Sequence, residues 1–210
     1  MTMTLIGQYD SPFVRRVGIA LTLYHLPFRQ EPWSVFADAD RIRAHSPLTR
    51  VPVLVLEDGE SLIDSHMILD HLDSLVPPAQ ALFPRAGAAR RRALRTAALA
   101  AGLGDKAVAL FFELQLHKNP SEVFVHRCRA QIADSLAALE ADLAGQSGAF
   151  WNGSAPGHAD IAVACVWRHA TDAHPGLVDP AVYPTLARLC DRLEALPVFR
   201  SIAQPFVAPV

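Results

Sequence analysis

At Val76-Pro77-Pro78 the chain changes character, and no other feature constrains its fold as strongly. Two successive prolines stop whatever helix runs into them, because each lacks the N–H a helix needs. Before this point strand-like and helix-like segments alternate. Residues 4–8 read as a short strand, and Val14, Val17, Leu21 and Tyr24 recur at helical spacing behind Pro12. Residues 26–33 suggest a second strand, kept short or at an edge by Pro27 and Pro32. Residues 53–56 and 61–63 flank Glu57-Asp58-Gly59-Glu60, and Asp-Gly is a strong hairpin turn. A helix follows over 65–75, with Ile68, Leu69 and Leu72 on one face. The stretch between the second strand and the hairpin shows no clear period.

After the prolines everything reads as helix. Residues 88–117 are rich in Ala and Leu, which favour helix intrinsically. Pro120 restarts a helix carrying Ile132, Leu136, Leu139 and Leu143; another begins near residue 155, and Leu186, Leu189, Leu193 and Leu196 mark a last one. The expected fold class is therefore α/β plus all-α, with an α/β domain over 1–76, a linker over 77–85 and a helical domain over 86–210.

Composition narrows the function classes. A formal net charge of −2 gives no reason to expect nucleic acid as a partner, and Arg85, Arg90, Arg91, Arg92 and Arg95, with no aromatics among them, read as a solvated helix face or a subunit contact. No apolar run approaches the roughly 18 residues of a membrane span, so no membrane partner is expected. Cys128, Cys165 and Cys190 are widely spaced in apolar helical stretches, which suggests buried free thiols in a reducing cytoplasm. The nine histidines contain no H-E-x-x-H pattern, and no metal is expected.

Three short motifs carry chemistry. Tyr9-Asp10-Ser11-Pro12 opens the first helix, and a helix start both accepts a serine cap and attracts an anion. Val51-Pro52 precedes a strand. Either the proline simply starts that strand in trans, or a cis bond turns the chain and presents the Val51 backbone to an extended, peptide-like ligand. Asp64-Ser65 lies between the hairpin and the next helix. Ser65 is a good N-cap there, and capping is the favoured explanation of the pair taken alone; a ligand carrying an ammonium and a carboxylate on one carbon would also suit it.

Taken in order, the Ser-Pro helix start, Ser46-Pro47-Leu48 leading to Val51-Pro52-Val53-Leu54, the hairpin, Asp64-Ser65, the proline-rich linker and the helical half resemble the glutathione S-transferases over essentially the whole chain, and "GQYDSPFVRRV" is most similar to bacterial members with a serine at this position. The resemblance implies a thioredoxin-like N-terminal domain that holds glutathione as co-substrate and a helical C-terminal domain that helps to hold a small hydrophobic electrophile. It implies that Ser11 hydrogen-bonds the glutathione sulfur, with Tyr9 as the rival donor, and that Val51, before a cis-Pro52, pairs with the cysteinyl part. Asp64 and Ser65 match the pair that holds the γ-glutamyl end. Arg50 matches a position near the ligand, Phe13 frames the site, and Asp105 matches an acidic position that in some relatives reaches the partner subunit's glutathione. Phe111 and Phe112 are candidates for the second-substrate pocket. The family's Ser/Thr-x-x-Asp helix start appears as Gly157-His158-Ala159-Asp160, which gives Asp160 a structural role.

The implied chemistry is thiolate activation. A free thiol of pKa about 8.5 is only a few per cent ionised at neutral pH. Lowering that pKa by about two units takes roughly 2.7 kcal/mol of thiolate stabilisation. A helix start and one hydroxyl donor are together of that order. The first 127 residues hold no cysteine, which argues against a mixed-disulfide mechanism. The expected protein is a cytoplasmic, homodimeric glutathione transferase of the detoxifying kind. The same bound thiol would also serve an isomerase, dehalogenase or peroxidase, and a transferase-like binding protein without catalysis is the non-enzymatic alternative.

Overall fold

The computed structural model describes residues 2–151 and 153–208. The chain divides into two units: one runs up to Arg85 and takes in the segment from Leu196 onward, and the other is Ala86–Ala195.

The first unit is built on four strands, β1 (Met3–Ile6), β2 (Phe28–Glu31), β3 (Val53–Val55) and β4 (Ser61–Ile63), in the order β2-β1-β3-β4. β1 runs parallel to β2 and antiparallel to β3, and β3 is antiparallel to β4. The pleat sends alternate residues to opposite faces. Leu5 and its register partner Leu54 join Val14, Val17 and Leu21 of α1 (Pro12–Leu23) and Ile68, Leu69 and Leu72 of α3 (Ser65–Ser74) in one core. Ile6 and its partner Val53 face the other way, onto Ile42 of α2 (Ala39–Arg43). This is the expected thioredoxin-like arrangement. The five-residue α2 fills the stretch that showed no period, and the reason is visible: it buries one residue, Ile42, too few to leave a repeat.

The stretch 77–85 does not hang free as a linker. The Leu82 N–H donates to Tyr24 Oη (2.8 Å) and the Phe83 N–H to Asp73 Oδ2 (3.1 Å), while Arg85 Nη2 donates to the carbonyls of Asp73 and Val76. Tyr24 Oη donates in turn to Asp73 Oδ1.

The second unit holds α4 (Gly87–Leu116), α5 (Glu122–Ala144), α6 (His158–Ala173) and α7 (Pro184–Glu194). α6 is its centre, buried nearly all round, and packs on α4 and α7, which both also contact α5. Ala93, Ala97, Ala100, Ala101 and Ala107 line the buried face of α4 and let the helices approach closely. The three cysteines are buried free thiols. Asp160 is fully buried: its Oδ2 accepts the Gly157 N–H (2.9 Å) and its Oδ1 the Trp151 N–H (3.0 Å), the half of a capping box that glycine permits. Burial pushes its carboxyl up to about 6.

The structure departs from the sequence-based division at the C-terminal end of the helical half. The segment from Leu196, with α8 (Pro197–Ser201), belongs to the first unit. Phe199 is fully buried there, and the buried Arg15 of α1 donates from Nε to Ile202 O (2.8 Å) and from Nη2 to Phe199 O (2.9 Å). A periodic run of leucines ending at Leu196 gives no sign of this, because the anchoring acceptors are backbone carbonyls.

Candidate functional site

Three chain turns of the first unit converge at one end of its sheet. Ser11 is the N-cap of α1, with extended backbone, and Pro12 occupies the first helical position, where its missing N–H costs nothing. The Ser11 Oγ accepts the Val14 N–H at 3.4 Å, a long cap bond that leaves the half-buried hydroxyl its proton to donate. Gly7 brings the second turn close. It has φ +128, and a Cβ there would lie 2.5 Å from Val14 Cγ2 and 2.9 Å from Val51 Cβ, so only glycine lets α1 and Val51 close on the end of β1. Val51-Pro52 is a cis peptide bond, and the β3 register begins at Val53, which leaves the Val51 backbone outside the ladder.

The third turn corrects the expected cap. Asp64, not Ser65, is the N-cap of α3: its Oδ1 accepts the His66 N–H at 2.8 Å, and Ser65 is the first helical residue. Asp64 holds φ +64 and ψ 125, a conformation a non-glycine residue adopts only when its surroundings enforce it. Its carboxylate stays exposed, whereas Ser65 is buried. The Ser65 Oγ accepts a hydrogen bond from Arg16 Nη2 (2.5 Å), and the Arg16 guanidinium lies 5.8 Å from the centre of the Phe13 ring. Arg16 thus ties the start of α1 to the start of α3.

Tyr9 points elsewhere. A Cβ on Gly18 would lie 2.9 Å from Tyr9 Cε1 and 3.4 Å from Cζ, which places the phenol end beside the middle of α1. Seven residues of helix separate Gly18 from Ser11, about 10 Å at 1.5 Å per residue. Burial pushes the Tyr9 phenol up to about 12, and its backbone N–H donates to Gln204 Oε1 (3.0 Å). Asp10, between the two, has its carboxyl raised by burial, partly offset by N–H groups of Ser11 and Val207.

The first unit therefore brings together Ser11, Phe13, Val51, Asp64 and Ser65. Arg50 is exposed on the approach to the cis bond. Asp105 is exposed on α4 of the second unit. Phe111 lines a cavity of about 440 Å³ within that unit, together with Leu114, Arg129, His174 and Leu177, and Phe112 lies beside it at 6.2 Å between ring centres. Sequence reasoning missed Arg16. The signal was there: Arg15 and Arg16 sit inside a helix whose neighbours Val14, Val17 and Gly18 are all buried, and a buried arginine needs acceptors.

Residues 5–80 match the family model of the glutathione S-transferase N-terminal domain, and residues 122–192 that of the C-terminal domain. A GST-like protein of Escherichia coli K12, YibF, is 33% identical over 139 residues, covering 66% of this chain and 68% of its own length. A glutathione S-transferase from Methylobacterium radiotolerans, solved in complex with glutathione sulfonate, is 32% identical, with TM-score 0.90 and full coverage of both chains. Another, from Methylobacillus flagellatus with glutathione bound, is 27% identical, with TM-score 0.88, over 98% of this chain and 100% of its own.

Proposed function

Because the chain belongs to the glutathione S-transferase family, we propose that it binds glutathione at the three turns of its first unit and transfers the thiolate to a small electrophile. The observation that carries this reading is the seat of Ser11: a half-buried hydroxyl with a proton to give, at the N-terminus of a twelve-residue helix, while the rival phenol of Tyr9 lies two turns away.

In this reading the Val51 backbone pairs with the cysteinyl residue as an added strand would. Asp64 holds the γ-glutamyl ammonium and Ser65 its carboxylate, with Arg50 and Phe13 at the rim. Ser11 donates to the sulfur and keeps its own proton; the thiol proton passes to solvent when glutathione binds. The sulfur then attacks the electrophilic carbon, and the Ser11 hydrogen bond weakens as charge leaves the sulfur for the leaving group. The protein works in the cytoplasm as a homodimer, in which Asp105 approaches the partner subunit's glutathione, and it serves detoxification.

Retention on immobilised glutathione followed by conjugation assays over a panel of electrophiles tests the proposal. Retention with conjugation supports it. Retention without conjugation moves the reaction to isomerisation, dehalogenation or peroxide reduction, and failure to bind glutathione overturns the reading.

A further inference from the structure

We propose that Arg16 is a positioning residue for the carboxylate end of the bound peptide, acting through Ser65. The inference rests on the reading above, in which Ser65 faces the γ-glutamyl carboxylate.

A serine hydroxyl can donate one hydrogen bond and accept two, so in isolation its role is undecided. Arg16 decides it. A guanidinium offers only donors and stays protonated, so the bond from Nη2 makes Ser65 Oγ the acceptor on its inner side. The Ser65 proton is then committed to the outer side, where a carboxylate takes it as a charge-assisted bond. Both residues are held for this. Arg16 is 2% exposed and Ser65 3%, so neither swings between rotamers as a surface pair would. The same guanidinium lies over Phe13, two residues after Ser11, so one side chain braces both the sulfur seat and the γ-glutamyl end of the proposed site.

The test compares two peptides by isothermal titration calorimetry: glutathione, and γ-aminobutyryl-cysteinyl-glycine, which lacks only the α-carboxylate of the γ-glutamyl residue. In the unsubstituted protein the loss of the carboxylate should weaken binding on the order of tenfold or more. Arg16→Met, which keeps bulk and removes every donor, should shrink that ratio to about threefold or less, by weakening glutathione far more than the analogue. Arg16→Lys, still a donor, should restore part of it. A purely structural role for Arg16 would weaken both peptides alike and leave the ratio intact, which overturns the proposal. Should Arg16→Met fail to fold, Arg16→Lys decides the matter: a ratio lowered below that of the unsubstituted protein, with glutathione weakened more than the analogue, supports the proposal, and an unchanged ratio overturns it. Equal affinities for the two peptides in the unsubstituted protein would overturn the reading of Ser65 itself, and the Arg16 proposal with it.

Discussion

Replacing Ser11 by alanine should raise the pKa of bound glutathione without unfolding the protein, and the size of the effect follows from two separate bonds. The Ser11 Oγ accepts the Val14 N–H at 3.4 Å, a long cap bond whose loss costs stability of about 0.5–1 kcal/mol. The bond it donates to a thiolate is charge-assisted and worth about 1.5–3 kcal/mol. At 1.36 kcal/mol per unit, the thiol pKa in the complex rises by about 1–2 units. Well below the bound-thiol pKa, as at pH 5, the thiolate fraction falls by about 10–100-fold, but a more basic thiolate attacks faster, with a Brønsted slope of about 0.4–0.5. The net loss in kcat/KM is then about 3–10-fold at pH 5, shrinks to about threefold or less at pH 7, and turns into a gain at alkaline pH. Ultraviolet titration of the bound thiolate and a pH–rate profile measure both parts. Ser11→Gly separates them, since glycine caps within a few tenths of a kcal/mol of serine while removing the same donor. Tyr9→Phe should leave the titration in place, because its phenol lies beside Gly18. A bound-thiol pKa unmoved in both Ser11 variants, or moved instead in Tyr9→Phe, refutes the assignment.

Further outcomes concern the frame around the site. Asp160 titrates near 6 in the folded protein against about 3.9 unfolded, so stability relative to Asp160→Asn is greatest below about pH 4 and falls by about 3 kcal/mol as pH rises through 6; urea melts at pH 4.5 and 7.5 check the sign. At neutral pH Asp160→Ala should still destabilise, by about 2–4 kcal/mol, because the buried Gly157 N–H and the partly buried Trp151 N–H lose their acceptor. Tyr24→Phe removes a donor to Asp73 and the acceptor of the Leu82 N–H, and should cost about 2–4 kcal/mol by urea unfolding. Gly7→Ala places a Cβ 2.5 Å from Val14 Cγ2 at φ +128; thermal unfolding should show a loss of about 3 kcal/mol or more, with weaker retention on glutathione.

Elements with several buried residues could be read directly from the chain. α3 starts where expected and ends one residue earlier, and α4 begins and ends one residue earlier, because Ile68, Leu69 and Leu72 or the alanines of α4 repeat often enough to set a period; β4, with no buried residue, keeps its expected bounds because the Asp58-Gly59 turn fixes them instead. α2 could not be read, since Ile42 alone is buried in it. At the site, residue identities carried further than residue roles. Asp and Ser are both good caps, and only the positive φ of Asp64, which no residue type announces, hands the cap to Asp64 and frees Ser65 for Arg16. Likewise, "YDSP" offers two hydroxyls, and the backbone path that turns Tyr9 toward Gly18 separates them.

The attachment of the tail to α1 bears on how the protein is made. Two carbonyl acceptors of the buried Arg15, on Phe199 and Ile202, lie 184 and 187 residues after it, so they are synthesised well after the turns of the proposed site. The Gln204 side chain that receives the Tyr9 N–H, beside Ser11, comes later still. A ribosome that stops after the helical bundle would therefore release a molecule carrying every proposed glutathione contact but lacking the clasp behind them. The proposed site in this way depends on the segment from Leu196, and removing that segment should weaken glutathione binding at turns formed by residues 7–65.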